Sequence, residues 1–124
     1  MTLIPVEVDK KTIATRFRKA HSFAFLSKGK ILDEGQIIVQ ENPHKTSKSP
    51  EFFKYFKTLN IDTLYIKELG YKTYLTLLDL GVEVYVVENA ATWNRIKPNE
   101  LTLLTGQNAE AFCTLGHFDN KDNT

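Results

Sequence analysis

The 124-residue sequence predicts a single mixed α/β domain. Short apolar runs typical of buried strands alternate with segments whose apolar residues recur at helical spacing. A hairpin signal precedes a strand–helix–strand unit, and this order favours one mixed sheet with helices packed on it. The hydrophobic fraction of 42% and the charged fraction of 25% are ordinary for a soluble globular chain.

The N-terminal third of the chain predicts three strands. The first strand contains Leu3, Ile4 and Val6. Pro5 interrupts it, which favours a sheet edge or a strand end. Two further strand-like runs, at residues 23–26 and 37–39, flank a hairpin signal at residues 27–30. Gly35 suggests a bulge in the returning strand.

A helix is predicted to begin at Ser49, whose hydroxyl can cap the free amides of the first turn. Pro50 suits the first helical position, and Glu51 favours the positive end of the helix dipole. The apolar face of this helix consists of Phe52, Phe53, Phe56 and Leu59.

Residues 63–87 predict a strand–helix–strand unit. A short buried strand at residues 63–66 precedes Gly70, which opens a helix. Gly81 ends that helix, at a position where a left-handed backbone suits glycine, and a valine-rich strand follows at once. The apolar positions of this helix are Tyr71, Tyr74, Leu75 and Leu78. The short connections predict that the two strands are parallel.

Beyond residue 87 the pattern predicts shorter elements. Thr92 can cap a short helix that Pro98 stops, and residues 108–115 favour one or two helical turns. We expect one domain over residues 1–118 and a flexible polar tail over residues 119–124.

Composition and motifs exclude several classes of function. Cys113 is the only cysteine, so the chain cannot form an internal disulfide, and we expect a cytoplasmic location. No apolar run approaches the ~20 residues of a membrane span, so no membrane contact is expected. The net charge is +1 without a basic–aromatic stripe, so nucleic acid is not an expected partner. Neither a nucleophile–base pair nor an acid pair stands out, so we do not expect an enzyme.

Three phrases occur in a recognisable order. Residues 13–23 read Ile-Ala-Thr-Arg-Phe-Arg-Lys-Ala-His-Ser-Phe, residues 41–44 read Glu-Asn-Pro-His, and residues 77–85 read Leu-Leu-Asp-Leu-Gly-Val-Glu-Val-Tyr. Together, over residues 1–95, they resemble the dinitrogenase iron–molybdenum cofactor biosynthesis family, the nitrogenase accessory domains. The positions that agree with that family's first phrase are Ile13, Phe17, Ala20 and Phe23.

The resemblance implies both a fold and a function. The fold would be a three-layer ribonuclease H-like α/β fold, with a mixed five-stranded sheet flanked by helices. The function would be that of a non-enzymatic binding or carrier protein for an iron–sulfur or iron–molybdenum-type cofactor, or its precursor, in metallocluster assembly for nitrogen fixation. The partners would be cluster-assembly or nitrogenase proteins, and the oligomeric state is left open.

The same resemblance places cofactor-binding residues in two loops. The residues expected to bind the cofactor are Arg16, Arg18, Lys19, His21 and Gly70. Cations can hold an anionic cluster by charge and fork geometry, although a solubilising loop has the same composition. Both segments follow strands and should meet at one end of the sheet, where open α/β sheets bind ligands.

Three residues are candidate metal ligands. His21 and His44 carry imidazoles, which coordinate iron and other transition metals when neutral, although each is also compatible with a surface loop. Cys113 is the only soft ligand, although a lone buried cysteine usually acts as a small hydrophobe.

Two departures from the family pattern favour an alternative function. Arg18 stands where the family has glycine, and residues 67–70 keep only Gly70 of the family's glycines. The alternative is a protein-interaction module that has the same fold and has lost cofactor binding.

Overall fold

The computed structural model describes residues 1–26, 37–109 and 113–114. The strands are β1 (Thr2–Val6), β2 (Ser22–Leu26), β3 (Ile38–Glu41), β4 (Thr63–Ile66), β5 (Leu69–Gly70), β6 (Glu83–Val87), β7 (Leu101–Leu103) and β8 (Cys113–Thr114). The α-helices are α1 (Ser49–Lys57) and α2 (Tyr71–Asp79). The predicted hairpin turn at residues 27–30, the bulge at Gly35 and the tail over residues 119–124 lie outside the described residues.

Within the described residues, six strands form one open mixed sheet in the order β3-β2-β1-β4-β6-β7. Strands β1, β4 and β6 are parallel to one another, whereas β2 is antiparallel to both β1 and β3. The α/β class and the parallel pairing of β4 with β6 are therefore confirmed. The predicted number of five strands is wrong, because residues 101–103 add β7 antiparallel to β6. Strands β5 and β8 form a separate parallel pair.

Both α-helices cover the same face of the sheet. One core cluster joins the two helices to the sheet through Phe52, Phe56, Leu77, Leu3 and Val84. The opposite face packs in a second cluster that includes Ile4, Tyr65, Trp93 and Ile96. Among the described residues, this second face is covered by the irregular segment around Trp93 and not by an α-helix. The expected layer of helices on each face is therefore not found there, and the ribonuclease H-like topology stays a prediction.

Pro5 lies near the end of a central strand, so of the two predicted positions the sheet edge is wrong and the strand end fits. Strand β1 has β2 on one side and β4 on the other. The proline is accommodated because β4 pairs with β1 only at Thr2 and Leu3, so Pro5 lies beyond that ladder. The carbonyl of Pro5 accepts a hydrogen bond from the Ala14 amide at 2.8 Å.

Helix α1 is predicted correctly except for its cap. Phe52, Phe53 and Phe56 are buried as expected. The cap residue, however, is Lys48, which makes no side-chain cap hydrogen bond, and the helix begins at Ser49. Ser49 therefore lies inside the first turn, where its hydroxyl is not placed to cap the helix.

Helix α2 buries only part of the predicted apolar face, since Tyr71 and Tyr74 pack on the core and the two leucines do not. Its buried residues are Thr73, Tyr74 and Leu77. Leu75 and Leu78 are 44% and 54% exposed. The helix ends as predicted, since Gly81 follows it with a φ of +79°.

The C-terminal elements are shorter than expected. Thr92 precedes a single 3₁₀ turn at Trp93–Arg95. Within the helix predicted for residues 108–115, Cys113–Thr114 is a strand that pairs with β5. No helix in the described ranges is long and apolar enough to cross a membrane.

Candidate functional site

Three of the loops at one edge of the sheet carry predicted site residues. Residues 7–21 follow β1 and residues 67–70 follow β4, and these two strands are parallel neighbours. Residues 42–48 follow β3, which runs in the same direction as β1 because β2 is antiparallel to both. We call this side of the molecule the loop edge. Helices α1 and α2 both begin there, because each returns the chain to the opposite edge of the sheet.

Asn42 fastens two of these loops together. Its side-chain amide donates hydrogen bonds to the carbonyls of Arg18 and Ala20 at 2.9 and 3.0 Å. Its side-chain oxygen accepts a hydrogen bond from the His44 amide at 2.9 Å. Its own backbone N–H donates to the carbonyl of His21 at 2.9 Å. Asn42 is fully buried, so these bonds replace the water that its amide has lost.

The two histidines lie on the two loops that Asn42 joins. Both are half-buried. Nδ1 of His21 is 2.7 Å from the hydroxyl of Ser22, and Nδ1 of His44 is 2.9 Å from the hydroxyl of Ser47. The ring of His44 also packs on Tyr55, with ring centroids 4.9 Å apart. If each Nδ1 carries the proton and donates to its serine, the lone pair of Nε2 is available for a metal.

The three predicted cations of the first loop differ in exposure. Arg16 and Lys19 are exposed, whereas Arg18 is only 7% exposed. The guanidinium of Arg18 points to the carbonyl of Ser47 at 3.5 Å, which links the two loops a second time. Burial lowers the pKa of Arg18 from its ordinary value. Arg18 therefore supports the loops from inside, and the exposed positive charge comes from its neighbours.

The carboxylate of Glu41, at the end of β3, is already paired with a cation. Glu41 accepts a hydrogen bond from Lys45 Nζ at 2.5 Å. This hydrogen bond and the positive charge of Lys45 lower the pKa of Glu41. Because Glu41 is compensated, it adds little net negative charge to the loop edge.

Gly70 ends the loop-edge segment at residues 67–70, and Cys113 lies beside it. Gly70 precedes α2, and its strand β5 pairs with β8, so that Leu69 is opposite Cys113. A Cβ atom at Gly70 would meet only the Thr73 hydroxyl, at 4.0 Å, so the backbone is open on that side. Cys113 packs in the core, and burial raises its pKa to about 11. Its thiol is therefore protonated at neutral pH, whereas a metal ligand must be a thiolate.

The structure places His21 and His44 on two joined loops, with Arg16 and Lys19 on the first of them, but does not form a closed metal site from the predicted ligands. In residues 1–26, 37–109 and 113–114, no three His, Cys, Asp or Glu side chains are grouped so that they could hold a metal ion.

Sequence reasoning did not identify the roles of Asn42 and Ser47. Asn42 appeared only as part of the Asn-Pro-His phrase, although an asparagine before a proline often organises a turn through its side chain. Ser47 accepts from Arg18 and lies beside His44 Nδ1, contacts that only the folded loops create.

Comparisons with known proteins establish a fold and no family. Neither a protein-family model nor a curated protein matches the chain. The chain is similar to the crystal structure of PH0822, with a TM-score of 0.64 and 18% identity over 85% of this chain and 95% of that one. It is also similar to the apo form of the orange protein from Desulfovibrio gigas, with a TM-score of 0.62 and 14% identity over 85% of this chain and 92% of that one. The chain therefore shares its α/β fold with both structures.

Proposed function

We propose that this domain is a non-enzymatic binding protein that holds an anionic iron–sulfur or iron–molybdenum-type cofactor, or its precursor, at the loop edge. The observation that carries the proposal is the pair of half-buried imidazoles, His21 and His44, on two loops that Asn42 fastens together. The fold is that of the orange protein, which was solved in its apo form, that is, without a ligand.

The residues of the loop edge fit such a group in two respects. His21 and His44 each have Nδ1 beside a serine hydroxyl, an arrangement that fixes the ring and directs Nε2 to a metal. Arg16 and Lys19 are exposed on the same loop and would offset the negative charge of a cluster. The amino-terminal ends of α1 and α2 add partial positive charge at this edge. Cys113 is left out of the ligand set because its pKa of about 11 keeps it a thiol.

The proposed role is that of a carrier. The bound metal would supply the coordination bond to imidazole, and the chain would hold the cluster by charge and hydrogen bonding until a partner receives it. An incomplete set of protein ligands suits transient binding, since a closed set of four would hold the metal too tightly to release. The partners that this role requires are cluster-assembly or nitrogenase proteins.

The experiment is an anaerobic titration of the protein with isolated iron–molybdenum cofactor and, in parallel, with ferrous iron and sulfide. Binding is followed by visible absorption and by co-elution in gel filtration. We expect His21→Ala and His44→Ala each to weaken binding, by about tenfold for one lost ligand. Equal affinity of the wild type and both variants would remove the imidazoles as ligands.

Charge is tested with a matched pair of variants. Arg16→Glu combined with Lys19→Glu changes the charge at the loop edge, whereas Lys54→Glu combined with Lys57→Glu makes the same change in the last turn of α1. Only the first variant should weaken binding, and its effect should shrink as salt is added, because exposed charges are screened. Equal weakening by both variants would show that the effect depends only on net charge.

The alternative is a protein-interaction module that has lost cofactor binding. The neighbouring exposed residues Leu75 and Leu78 on α2 favour it, since they form an apolar strip that the sheet does not cover. Failure of the wild type to bind either probe would favour this second function.

A further inference from the structure

A depression of about 510 Å³ opens beside the carboxyl end of β6, separate from the residues of the proposed cofactor site. The residues that line it are Asn89, Ala90, Ala91, Arg95, Lys97 and Glu100. This volume lies in the range of small-molecule sites. The position is also typical of ligand sites, because open α/β sheets bind ligands beyond the carboxyl ends of their parallel strands.

The walls of the depression are held in place by the fold. The carbonyl of Ala91 accepts a hydrogen bond from the Ile13 amide at 2.8 Å. The amide of Glu88 donates a hydrogen bond to the carbonyl of Glu100 at 3.0 Å. This bond joins the two ends of the segment at residues 88–100, which carries all the lining residues. Between them, the Trp93 indole donates to the carbonyl of Lys10 at 2.9 Å, and Ile96 is fully buried. A site on this segment is thus preorganised by contacts that do not involve its lining side chains.

The cations and carboxylates of this segment are not equivalent. Glu100 accepts a hydrogen bond from the Lys97 amide at 3.2 Å, and Glu88 accepts one from the hydroxyl of Thr102. Arg95 and Lys97 are exposed, and neither takes part in the salt bridges of the described residues. Glu100, which also lines the depression, keeps its negative charge, so Arg95, Lys97 and Glu100 together give the lining a net charge of +1. Neither cation has an anionic partner in the described part of the chain.

We propose that this depression binds a small molecule through a phosphate group. The planar guanidinium of Arg95 can donate two parallel hydrogen bonds to phosphate oxygens, and the ammonium of Lys97 adds a second positive charge. The side-chain amide of Asn89 can donate to the third oxygen. Two separate cations and an amide suit a doubly charged group with three oxygens better than a carboxylate with two. This inference does not depend on the proposed cofactor function.

The test uses Trp93, the only tryptophan of the chain, which lies two residues before Arg95. The full chain is titrated with phenyl phosphate, inorganic phosphate and benzoate at constant ionic strength, and tryptophan fluorescence is recorded. We expect a saturable change with phenyl phosphate and a much weaker response to benzoate. Tighter binding of phenyl phosphate than of inorganic phosphate would identify a phosphorylated molecule as the ligand, and equal binding would identify free phosphate. Benzoate binding as tight as that of phenyl phosphate would overturn the preference for phosphate.

Variants distinguish specific binding at this depression from non-specific attraction of phosphate to exposed cations. Arg95→Gln and Lys97→Gln should each weaken phenyl phosphate binding by about tenfold, since each removes one charge-assisted contact. Lys57→Gln, an exposed lysine in the last turn of α1, is the matched control and should bind as the wild type does. Thermal unfolding of each variant verifies that it is folded. The proposal is overturned if the wild type gives no saturable response to either phosphate, or if Arg95→Gln and Lys57→Gln bind equally.

Discussion

Replacing Asn42 tests the connection between the two histidine loops. Asn42→Ala removes two donated hydrogen bonds, to the carbonyls of Arg18 and Ala20, and one accepted from the His44 amide. The backbone bond from residue 42 to the His21 carbonyl remains. The variant therefore deletes the side-chain contacts alone.

The expected loss in the free energy of unfolding follows from the number of hydrogen bonds that the Asn42 side chain makes. A buried hydrogen bond contributes about 1 kcal/mol net, so three bonds give about 3 kcal/mol. This is a large share of the about 5–15 kcal/mol that stabilises an ordinary domain. Asn42→Asp keeps the acceptor for His44 but loses both donors and sets a carboxylate beside two carbonyl oxygens. We expect it to cost at least about 2 kcal/mol at neutral pH.

The assay is urea unfolding followed by circular dichroism, with the slope of the transition compared between variants. Asn99→Ala, at an exposed position, is the control and should change the free energy of unfolding by less than about 0.5 kcal/mol. A loss below about 1 kcal/mol for Asn42→Ala would refute the reasoning, because it would mean that the two loops hold their positions without the Asn42 side chain.

Three further predictions concern stability. Burial raises the pKa of the Cys113 thiol to about 11, so between pH 9 and 11 the folded chain keeps a proton that the unfolded chain releases. The stabilisation that results is complete below pH 9 and is lost between pH 9 and 11. The thermal midpoint of Cys113→Ala should therefore fall less steeply over that range than that of the wild type, and equal slopes would contradict this prediction. Tyr74→Phe should leave the free energy of unfolding unchanged or raise it by up to about 1 kcal/mol, because the buried Tyr74 hydroxyl has no hydrogen-bond partner among the described residues. A lower free energy of unfolding in urea would show that the hydroxyl has a partner. Gly81→Ala should lower the free energy of unfolding by about 1 kcal/mol, because a φ of +79° strains a residue with a Cβ atom. The strain is in the backbone alone, since no atom lies within 4 Å of the added Cβ. An unchanged urea midpoint would show that the turn relaxes.

The strand–helix–strand unit could be predicted because its signals are local. The buried run at residues 63–66, the stop at Gly81 and the valines that follow each have a direct conformational meaning. The sixth strand could not be predicted in the same way. Residues 101–103 are too few to show a period, and their strand character comes from pairing with β6.

The candidate site could be predicted in position and only partly in detail. Strand order places residues 16–21 and 67–70 at one edge, since both follow parallel strands. The burial of Arg18 could not be predicted, because arginine is rarely buried and its surroundings come from a loop almost thirty residues away. The role of Asn42 could not be predicted for a similar reason. Its neighbours Glu41 and Pro43 do not indicate whether its side chain is buried or solvated, because its contacts are with residues 18–21.

The most direct test of the central claim is a map of where the cofactor binds. Iron–sulfur and iron–molybdenum cofactors are paramagnetic in accessible states, and they broaden the amide resonances of nearby residues in an ¹H–¹⁵N correlation spectrum. With one equivalent of isolated cofactor, we expect broadening at residues 16–21 and 42–47, and sharp resonances at residues 57–62 and 80–83 on the opposite edge of the sheet. An unchanged spectrum, or broadening confined to that opposite edge, would contradict the proposed function.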